Sequence, residues 1–196
     1  MVGDTNTVLV ADDDPTVVAQ ARSWLDDRYR VETATTGDEL LSLVGDADAV
    51  LVDLDLRTAS GTVVAAEIER RATAQTMAIL SNDERRAAVH TTAGGSLEKP
   101  IERAALLETV DRLLRHARYD DLLDECLTLA AERGTLESRD DFEPDEEYET
   151  LQRRLEEVFT ALDELVATFD GDDFRAEFAT CELGTPTEPH RASERP

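Results

Sequence analysis

Five short strand-like segments alternate with helix-like segments over the first 117 residues, and this alternation constrains the fold more than any other feature. Three of them, residues 7–11, 49–52 and 77–80, are almost unbroken apolar runs, which are typical of parallel strands buried on both faces. The other two lie at residues 30–33 and 96–98. A repeated strand–helix unit predicts an α/β fold with a doubly wound, five-stranded parallel sheet and right-handed crossovers.

Charged and polar residues follow four of these segments. Asp12 and Asp13 follow the first, Asp53 the third, Ser81 the fourth and Lys99 the fifth, and Lys99 is the single lysine beside 19 arginines. Ligands of doubly wound sheets bind outside the carboxyl ends of the strands, so we expect these residues to converge. The convergence predicts a pocket that handles a cation and a phosphate. Taken alone, each residue has an alternative interpretation as a solvated charge or polar group in a loop. The aspartates have a second alternative, as the N-cap of a helix.

The pattern changes to helix alone after about residue 117. Apolar residues spaced three and four apart describe a coiled-coil seam on two helices joined by a polar link at 134–144. We therefore predict an antiparallel hairpin within a helical domain at 118–183, followed by a disordered tail at 184–196. The seam positions are Tyr119, Leu122, Cys126 and Leu129, then Tyr148, Leu151, Leu155, Val158, Leu162, Leu165 and Phe169.

The net charge of the chain bears on whether its partner is a nucleic acid. The chain carries 45 acidic and 20 basic residues, a net charge of −25. With one lysine and few large aromatic residues, this composition resembles that of proteins from salt-accumulating archaea. No basic patch is present, which makes nucleic-acid binding an unfavoured but not excluded function, because such binding depends on cationic side chains that neutralise phosphates.

The sequence also predicts where in the cell the protein is located. No apolar run approaches the roughly 20 residues that a membrane-spanning helix needs, and the N-terminus has no signal-peptide pattern. We therefore expect a cytoplasmic protein with no membrane partner. Cys126 and Cys181 fit no metal or redox spacing and are expected to be reduced, small apolar residues.

Four motifs together resemble the receiver domain of two-component response regulators, a flavodoxin-like fold. The resemblance covers residues 5–117, which we take as one domain. The matching motifs are Val8-Leu9-Val10-Ala11-Asp12-Asp13-Asp14-Pro15, Val50-Leu51-Val52-Asp53 with Gly61 eight residues beyond, Ile79-Leu80-Ser81 and Glu98-Lys99-Pro100. The helical part resembles the HalX domain that follows receivers in haloarchaeal regulators.

The resemblance implies a site. Asp53 would accept a phosphoryl group from a sensor histidine kinase, and Mg²⁺ would be the cofactor. Asp13 and Asp53 would bind the Mg²⁺ directly, Asp12 would act through water, and the backbone carbonyl of Asp55 would complete the protein ligands. This set suits Mg²⁺, which is held by a few oxygen ligands and keeps several waters.

Ser81 would donate a hydrogen bond to the phosphoryl oxygens and Lys99 would pair with them. The resemblance thus implies a phosphoacceptor signalling protein, which catalyses only its own phosphorylation and dephosphorylation and is not an enzyme with a separate substrate.

The chain departs from the receiver pattern at four points. Arg57 replaces the proline usual after the phosphorylated strand, Ser96 replaces an aromatic residue, and Asn82 replaces an alanine. Ser81 and Lys99 are 18 positions apart, which predicts a shortened fourth helix at about 85–92. None of these changes removes a group that phosphorylation needs.

Three functions remain open from the sequence. The leading hypothesis is a switch in which Asp53 phosphorylation alters how the helical hairpin meets a protein partner, with a homodimer as one form of that contact. The second is a transcriptional regulator that binds DNA through the HalX-like part, and the third is an unphosphorylated scaffold. Asp53-Leu54-Asp55 also fits the nucleophile motif of haloacid-dehalogenase-type phosphatases, which carry it on their first strand, whereas here the strand is the third.

Overall fold

The computed structural model describes residues 6–71, 76–82, 94–138 and 143–169. The strands are β1 (Thr7–Ala11), β2 (Arg30–Ala34), β3 (Ala49–Asp53), β4 (Thr76–Ser81) and β5 (Gly95–Glu98). The helices are α1 (Pro15–Leu25), α2 (Gly37–Leu43), α3 (Val64–Arg71), α4 (Arg103–Glu137) and α5 (Glu146–Val166), and a 3₁₀ turn, Val44–Asp46, follows α2.

The five strands form one parallel sheet in the order β2-β1-β3-β4-β5. The predicted fold class is therefore confirmed. Because β2 lies on one side of β1 and β3 on the other, the order reverses at the β1–β3 boundary, which is where sheets of this class bind ligands.

Helices cover both faces of the sheet. On one face, α1 and α4 pack against Val8, Val10 and Leu51, with Leu106 and Leu113 of α4 fully buried. On the other face, α2 and α3 pack against β1 and β3. This second core includes Leu9, Val50, Val52, Leu40, Val64, Ala65 and Ile68. The two-sided burial explains why β1 and β3 are apolar without alternation.

Local sequence signals set where the first two helices begin. Asp14 caps α1, accepting a 2.8 Å hydrogen bond from the Thr16 N–H before Pro15 starts the helix. Thr36 caps α2, and Glu39 reaches back to the N–H of Thr35 at 2.9 Å.

Gly37 is required at the start of α2. Its N–H donates to the Arg57 carbonyl at 3.1 Å, and a Cβ at this position would lie 2.7 Å from that same oxygen. The close approach joins α2 to the loop after β3.

Helix α4 is continuous across residue 117. Its 35 residues begin against the sheet and end in the hairpin, where it packs against α5. Three contacts pair progressively earlier α4 residues with residues progressively later in α5 or just after its end: Glu137 with Tyr148, Glu125 with Arg154, and His116 with Phe169. The hairpin is therefore antiparallel, as predicted.

The predicted seam forms the core of the hairpin. Leu122, Cys126, Leu155 and Val158 are buried there. The partly buried residues around them include Leu129, Leu151, Leu162 and Leu165.

Several sequence predictions lie outside the described residues: the short helix at 85–92, the end of the helical domain at 170–183, Cys181, and the disordered tail at 184–196. Within the described ranges, no helix combines the length and the apolar character that crossing a membrane requires.

Candidate functional site

The β-sheet register brings four of the predicted site residues to one edge. Ala11 pairs with Val52, so Asp12 follows β1 beside the end of β3. Asp53 pairs with Leu80, and Ser81 pairs with Glu98. Asp12, Asp53, Ser81 and Lys99 therefore occupy successive positions along the carboxyl edge.

Lys99 joins two carboxylates at this edge. Its ammonium donates a 2.6 Å hydrogen bond to Asp53 Oδ1 and lies 2.6 Å from Asp12 Oδ2 as an ion pair. The side chains of Asp12, Asp53 and Lys99 are 0%, 7% and 13% exposed. The backbone fixes this arrangement, because the Lys99 N–H donates to the Ser81 carbonyl at 2.9 Å.

The charges of this cluster do not balance. Burial raises the pKa of Asp12, and the contact with Lys99 offsets that effect only in part. Burial alone would lower the pKa of Lys99, but its contacts with Asp12 and Asp53 outweigh burial and raise it, so the ammonium stays charged. One positive charge therefore faces two buried carboxylates, and this excess of carboxylate over ammonium is compatible with a further cation.

Asp53 is held by both of its carboxylate oxygens. Oδ1 accepts from Lys99, and Oδ2 accepts a 2.9 Å hydrogen bond from the Asp55 N–H. The loop after Asp53 is tied to the next strand by the Leu54 N–H, which donates to the Leu80 carbonyl at 2.9 Å. The Asp55 backbone thus lies beside the Asp53 carboxylate, while Asp55 itself is exposed.

The three consecutive aspartates have different environments. Asp12 is buried, and its Oδ1 accepts a 3.0 Å hydrogen bond from the Asp14 N–H. Asp14 is exposed and caps α1, and hydrogen bonds from Thr16 lower its pKa. Asp13 is exposed. The helix cap is therefore supplied by Asp14, which leaves the carboxylate of Asp12 within the site.

The chemistry of this edge fits a divalent cation. Asp12 Oδ2 is buried, and its contact with Lys99 does not have hydrogen-bond geometry. Among the described residues, no three His, Cys, Asp or Glu side chains form a group that could hold a metal. Mg²⁺ needs no such group, because it is held by one or two carboxylates, other oxygens and waters.

The loop that follows the site is shaped by Arg57. The Arg57 guanidinium donates to the Gly61 carbonyl at 3.1 Å, and Arg57 pairs with Val63 as an isolated antiparallel bridge. Arg57 therefore closes a loop over residues 57–63 at the position where receiver domains carry proline. Ser96 is exposed on β5, beside Ile79 of β4.

Sequence reasoning did not single out His116. This residue is 3% exposed on α4, and its ring stacks on Phe169 with 5.2 Å between the ring centroids. His116 precedes the seam residue Tyr119 by three positions, which gives two consecutive steps of three (116, 119, 122) in place of the alternating three-and-four spacing, so the seam pattern did not identify it.

Comparison with known families gives two matches. Residues 8–111 match the family described as "Response regulator receiver domain", and residues 115–178 match the "HalX domain". The receiver was recognised from its four sequence motifs and the HalX domain from its helical pattern, and the recognition of both is confirmed.

A curated relative links both parts. A Haloferax volcanii protein named "Putative transcriptional regulator" is 33% identical over 156 residues, which cover 77% of this chain. This relative is haloarchaeal, in agreement with the composition. The matched region spans only 27% of that longer protein.

Solved structures support the fold. The signal receiver domain of an HD domain-containing protein from Pseudomonas fluorescens and a CheY-like receiver protein from Methanospirillum hungatei each match with a TM-score of 0.52 and 20% identity. These matches cover 58% and 60% of this chain, and 98% and 99% of those chains. A receiver domain from Vibrio parahaemolyticus matches with a TM-score of 0.55 and 22% identity, over 61% of this chain and 97% of its own.

Proposed function

From the premise that the chain belongs to the response regulator receiver family and carries a HalX domain after its receiver, we propose that it is a phosphoacceptor switch. A sensor histidine kinase phosphorylates Asp53, and the phosphorylated receiver changes how the helical hairpin meets a partner protein. The observation that carries this proposal is the pair of buried carboxylates, Asp12 and Asp53, that share the ammonium of Lys99.

Asp53 is the group that receives the phosphoryl. A bond forms between one Asp53 carboxylate oxygen and phosphorus while the bond from phosphorus to the donor breaks. Phosphoryl transfer relies mainly on positioning and on cations near the phosphoryl oxygens. Lys99 supplies one of these cations, since its ammonium already lies 2.6 Å from Asp53, and Ser81 stands at the adjacent strand end to donate a hydrogen bond.

The acidic edge is proposed to hold Mg²⁺. Asp13 and Asp53 would hold it directly, Asp12 through water, and the Asp55 backbone carbonyl would complete the protein ligands. When bound, Mg²⁺ would neutralise negative charge on the phosphoryl oxygens. This assignment is supported by the excess of carboxylate over ammonium and by the buried Oδ2 of Asp12, which lacks a hydrogen bond.

Helix α4 offers a direct route from the site to the hairpin. Its N-terminal half packs against β3, β4 and β5, and its C-terminal half pairs with α5. Lys99 lies between β5 and this helix, four residues before Arg103. A displacement of Lys99 toward a phosphoryl group would therefore act on the base of a helix that continues into the output domain.

The proposal is tested by the mass of the intact protein. Incubation with Mg²⁺ and acetyl phosphate in 2 M KCl should add one phosphoryl group, and chelation of Mg²⁺ should prevent the addition. Asp53→Asn should abolish it. Asp55→Asn is the matched control and should retain it, because Asp55 contributes only its backbone to the site.

Two outcomes would contradict the proposal. An unmodified mass, under conditions that phosphorylate another receiver, would favour the scaffold hypothesis. Loss of phosphorylation in both variants would instead favour the two-aspartate phosphatase motif.

Direct DNA binding is the second candidate, and the name of the Haloferax relative favours it. The charge opposes it, because residues 118–196 carry 24 acidic and 8 basic residues, whereas residues 1–117 carry 21 and 12. In the hairpin, Arg154 is already paired with Glu125 at 2.6 Å and with Glu157 at 3.2 Å. We therefore rank protein contact above DNA binding.

A further inference from the structure

The loop after Asp53 contains the backbone carbonyl that the proposed metal site needs. The Asp55 N–H donates to Asp53 Oδ2 at 2.9 Å, and the Leu56 N–H donates to the Asp53 carbonyl at 3.1 Å. A peptide unit is planar, so the second bond also fixes the direction of the Asp55 carbonyl, which belongs to the same unit as the Leu56 N–H. Contacts that hold Leu56 in place therefore hold this carbonyl as well.

Leu56 is held by hydrogen bonds to the far side of the loop. Its carbonyl accepts a 3.1 Å hydrogen bond from the Val64 N–H, and the Thr58 N–H donates to the Thr62 carbonyl at 3.0 Å. These two bonds flank Arg57, which forms an isolated antiparallel bridge across the loop. The loop is therefore a short hairpin, and the Leu56 carbonyl lies at its base.

The tip of this loop has no burial to define its shape, because residues 59–62 are exposed. The Arg57 guanidinium crosses the loop and donates to the Gly61 carbonyl at 3.1 Å, while the Gly61 N–H donates to the Thr58 carbonyl at 2.9 Å. Gly61 has a φ of 85°, which glycine adopts without strain. Hydrogen bonds rather than packing therefore keep the two sides of the loop together.

The backbone of Arg57 also joins the loop to α2. The Arg57 carbonyl accepts a 3.1 Å hydrogen bond from the Gly37 N–H, and Asp38 Oδ2 accepts a 2.6 Å hydrogen bond from the Ala59 N–H. The carbonyl and the guanidinium of Arg57 are thus both engaged, whereas its N–H donates none of the bonds that close the loop. A proline, which lacks this N–H and restricts φ, is therefore compatible with position 57.

We propose that Arg57 is a positioning residue for the metal site. Its guanidinium closes the loop on Gly61 and thereby holds the Asp55 carbonyl in the direction that Mg²⁺ binding requires. This inference rests on the proposed Mg²⁺ site and goes beyond it, because it assigns part of the metal affinity to a side chain outside the proposed set of ligands.

The sign of the effect distinguishes positioning from electrostatic repulsion. A cationic side chain near this acidic edge repels Mg²⁺, so removal of its charge alone would leave binding unchanged or make it tighter. Removal of the contact with Gly61 would instead loosen the loop and weaken binding. We expect the dissociation constant for Mg²⁺ to rise roughly fivefold, which corresponds to the loss of one hydrogen bond.

Titration of the full chain with Mg²⁺ in 2 M KCl, followed by the fluorescence of Trp24, tests the proposal. Arg57→Ala should weaken binding by this factor while the circular dichroism spectrum stays that of the native protein. Arg57→Pro removes the same charge but restricts the backbone, and it should restore native affinity. Ser60→Ala is the matched control and should bind normally, because the Ser60 hydroxyl contacts only the hydroxyls of Thr58 and Thr62 among the described residues.

Hydrogen exchange without Mg²⁺ gives a second measurement. The amides of Leu56 and Thr58 report the pairing of the loop itself, so they should exchange faster in Arg57→Ala than in the native protein or in Arg57→Pro. Unchanged exchange at these amides would overturn the proposal.

Two results of the Mg²⁺ titration would also overturn it while leaving the metal site intact. One is equal or tighter binding by Arg57→Ala, and the other is a weakening that Arg57→Pro shares. A native protein that binds no Mg²⁺ would instead contradict the metal site itself, and the role of Arg57 with it.

Discussion

At the scale of single residues, the stability of the site depends on Lys99. One ammonium compensates two carboxylates that are 0% and 7% exposed, so its removal would leave uncompensated negative charge in the sheet edge. Burial raises the pKa of Asp12, and the contact with Lys99 offsets this effect only in part.

Substitution of Lys99 should therefore destabilise the folded protein, and a bound cation should restore part of the lost stability. We expect Lys99→Met to lower the free energy of unfolding by about 3–5 kcal/mol in the absence of divalent ions. Mg²⁺ should restore part of this loss, and Lys99→Arg should be affected less. Chemical denaturation with and without Mg²⁺ measures these values, and an unchanged stability in Lys99→Met would show that the ion pair is dispensable.

Substitution of Lys99 should also block the conformational response to phosphorylation without preventing Mg²⁺ binding. The ammonium acts on the phosphoryl oxygens, so Lys99→Ala is expected to bind Mg²⁺ but to lose the conformational response to phosphorylation. Fluorescence of Trp24, which lines the same pocket as Lys99 and Pro100, would report Mg²⁺ binding. A variant that fails to fold at saturating Mg²⁺ would show that Lys99 has mainly a structural role.

A second residue-scale prediction concerns alkaline pH. Burial and a hydrogen bond to Asp111 raise the pKa of Tyr29 from 10.0 to about 12. The folded state therefore holds the phenolic proton more tightly than the unfolded state, and the resulting stability is present below pH 10 and lost as the pH rises toward 12. The melting-temperature advantage of the native protein over Tyr29→Phe should shrink between about pH 9 and pH 12, and an advantage that does not change with pH would contradict this contact.

At the scale of elements, the charge on the hairpin surface distinguishes the hypothesis of protein contact from that of DNA binding. Protein–DNA affinity falls with the logarithm of salt concentration, with a slope of about 0.9 per phosphate contacted. Two adjacent arginines of α5, Arg153 and Arg154, are the side chains we would expect to contact DNA phosphates. Arg154, however, is already paired with two glutamates.

We therefore expect no sequence-specific retention of DNA by the full chain in 2 M KCl, with or without phosphorylation. Electrophoretic or fluorescence-anisotropy titrations over a range of KCl concentrations measure this. Specific retention that disappears in the Arg153→Ala, Arg154→Ala double variant would establish the transcriptional hypothesis instead.

Sequence patterns predicted the elements well where a single physical signal dominates. The apolar runs located β1, β3 and β4, because strands buried on both faces have no polar positions. The three-and-four spacing located the hairpin seam, since only residues that face the partner helix need to be apolar. The strand ends then identified Asp12, Asp53, Ser81 and Lys99 as neighbours.

Other features depend on three-dimensional contacts that no local pattern encodes. The Asp14-Pro15 pair indicates the cap of α1, but Asp12 and Asp13 are chemically identical in sequence, and only the turn into α1 assigns the buried position to the first of them. The continuity of α4 across residue 117 was also not evident, because the composition changes there while the helix does not. The roles of the site residues in phosphorylation and Mg²⁺ binding stay predictions.

At the scale of the whole molecule, net charge governs the response to salt. A charge of −25 repels itself, and the Debye length falls from about 10 Å at 0.1 M salt to about 3 Å at 1 M. Transfer from 3 M to 0.1 M KCl should lower the melting temperature, with the larger effect in the more acidic helical part. Circular dichroism melts at both concentrations check this, and coincident melts would mean that the acidic side chains are better paired than their number suggests.

The continuous α4 joins the two halves of the molecule, and we propose that phosphorylation at Asp53 acts through it. Hydrogen exchange of the full chain, compared with and without acetyl phosphate in Mg²⁺ and 2 M KCl, measures this directly. We expect altered protection in α4 beyond residue 117 and in α5, with no change in Asp53→Asn. A protein that is phosphorylated at Asp53 but shows unchanged exchange throughout the hairpin would contradict it.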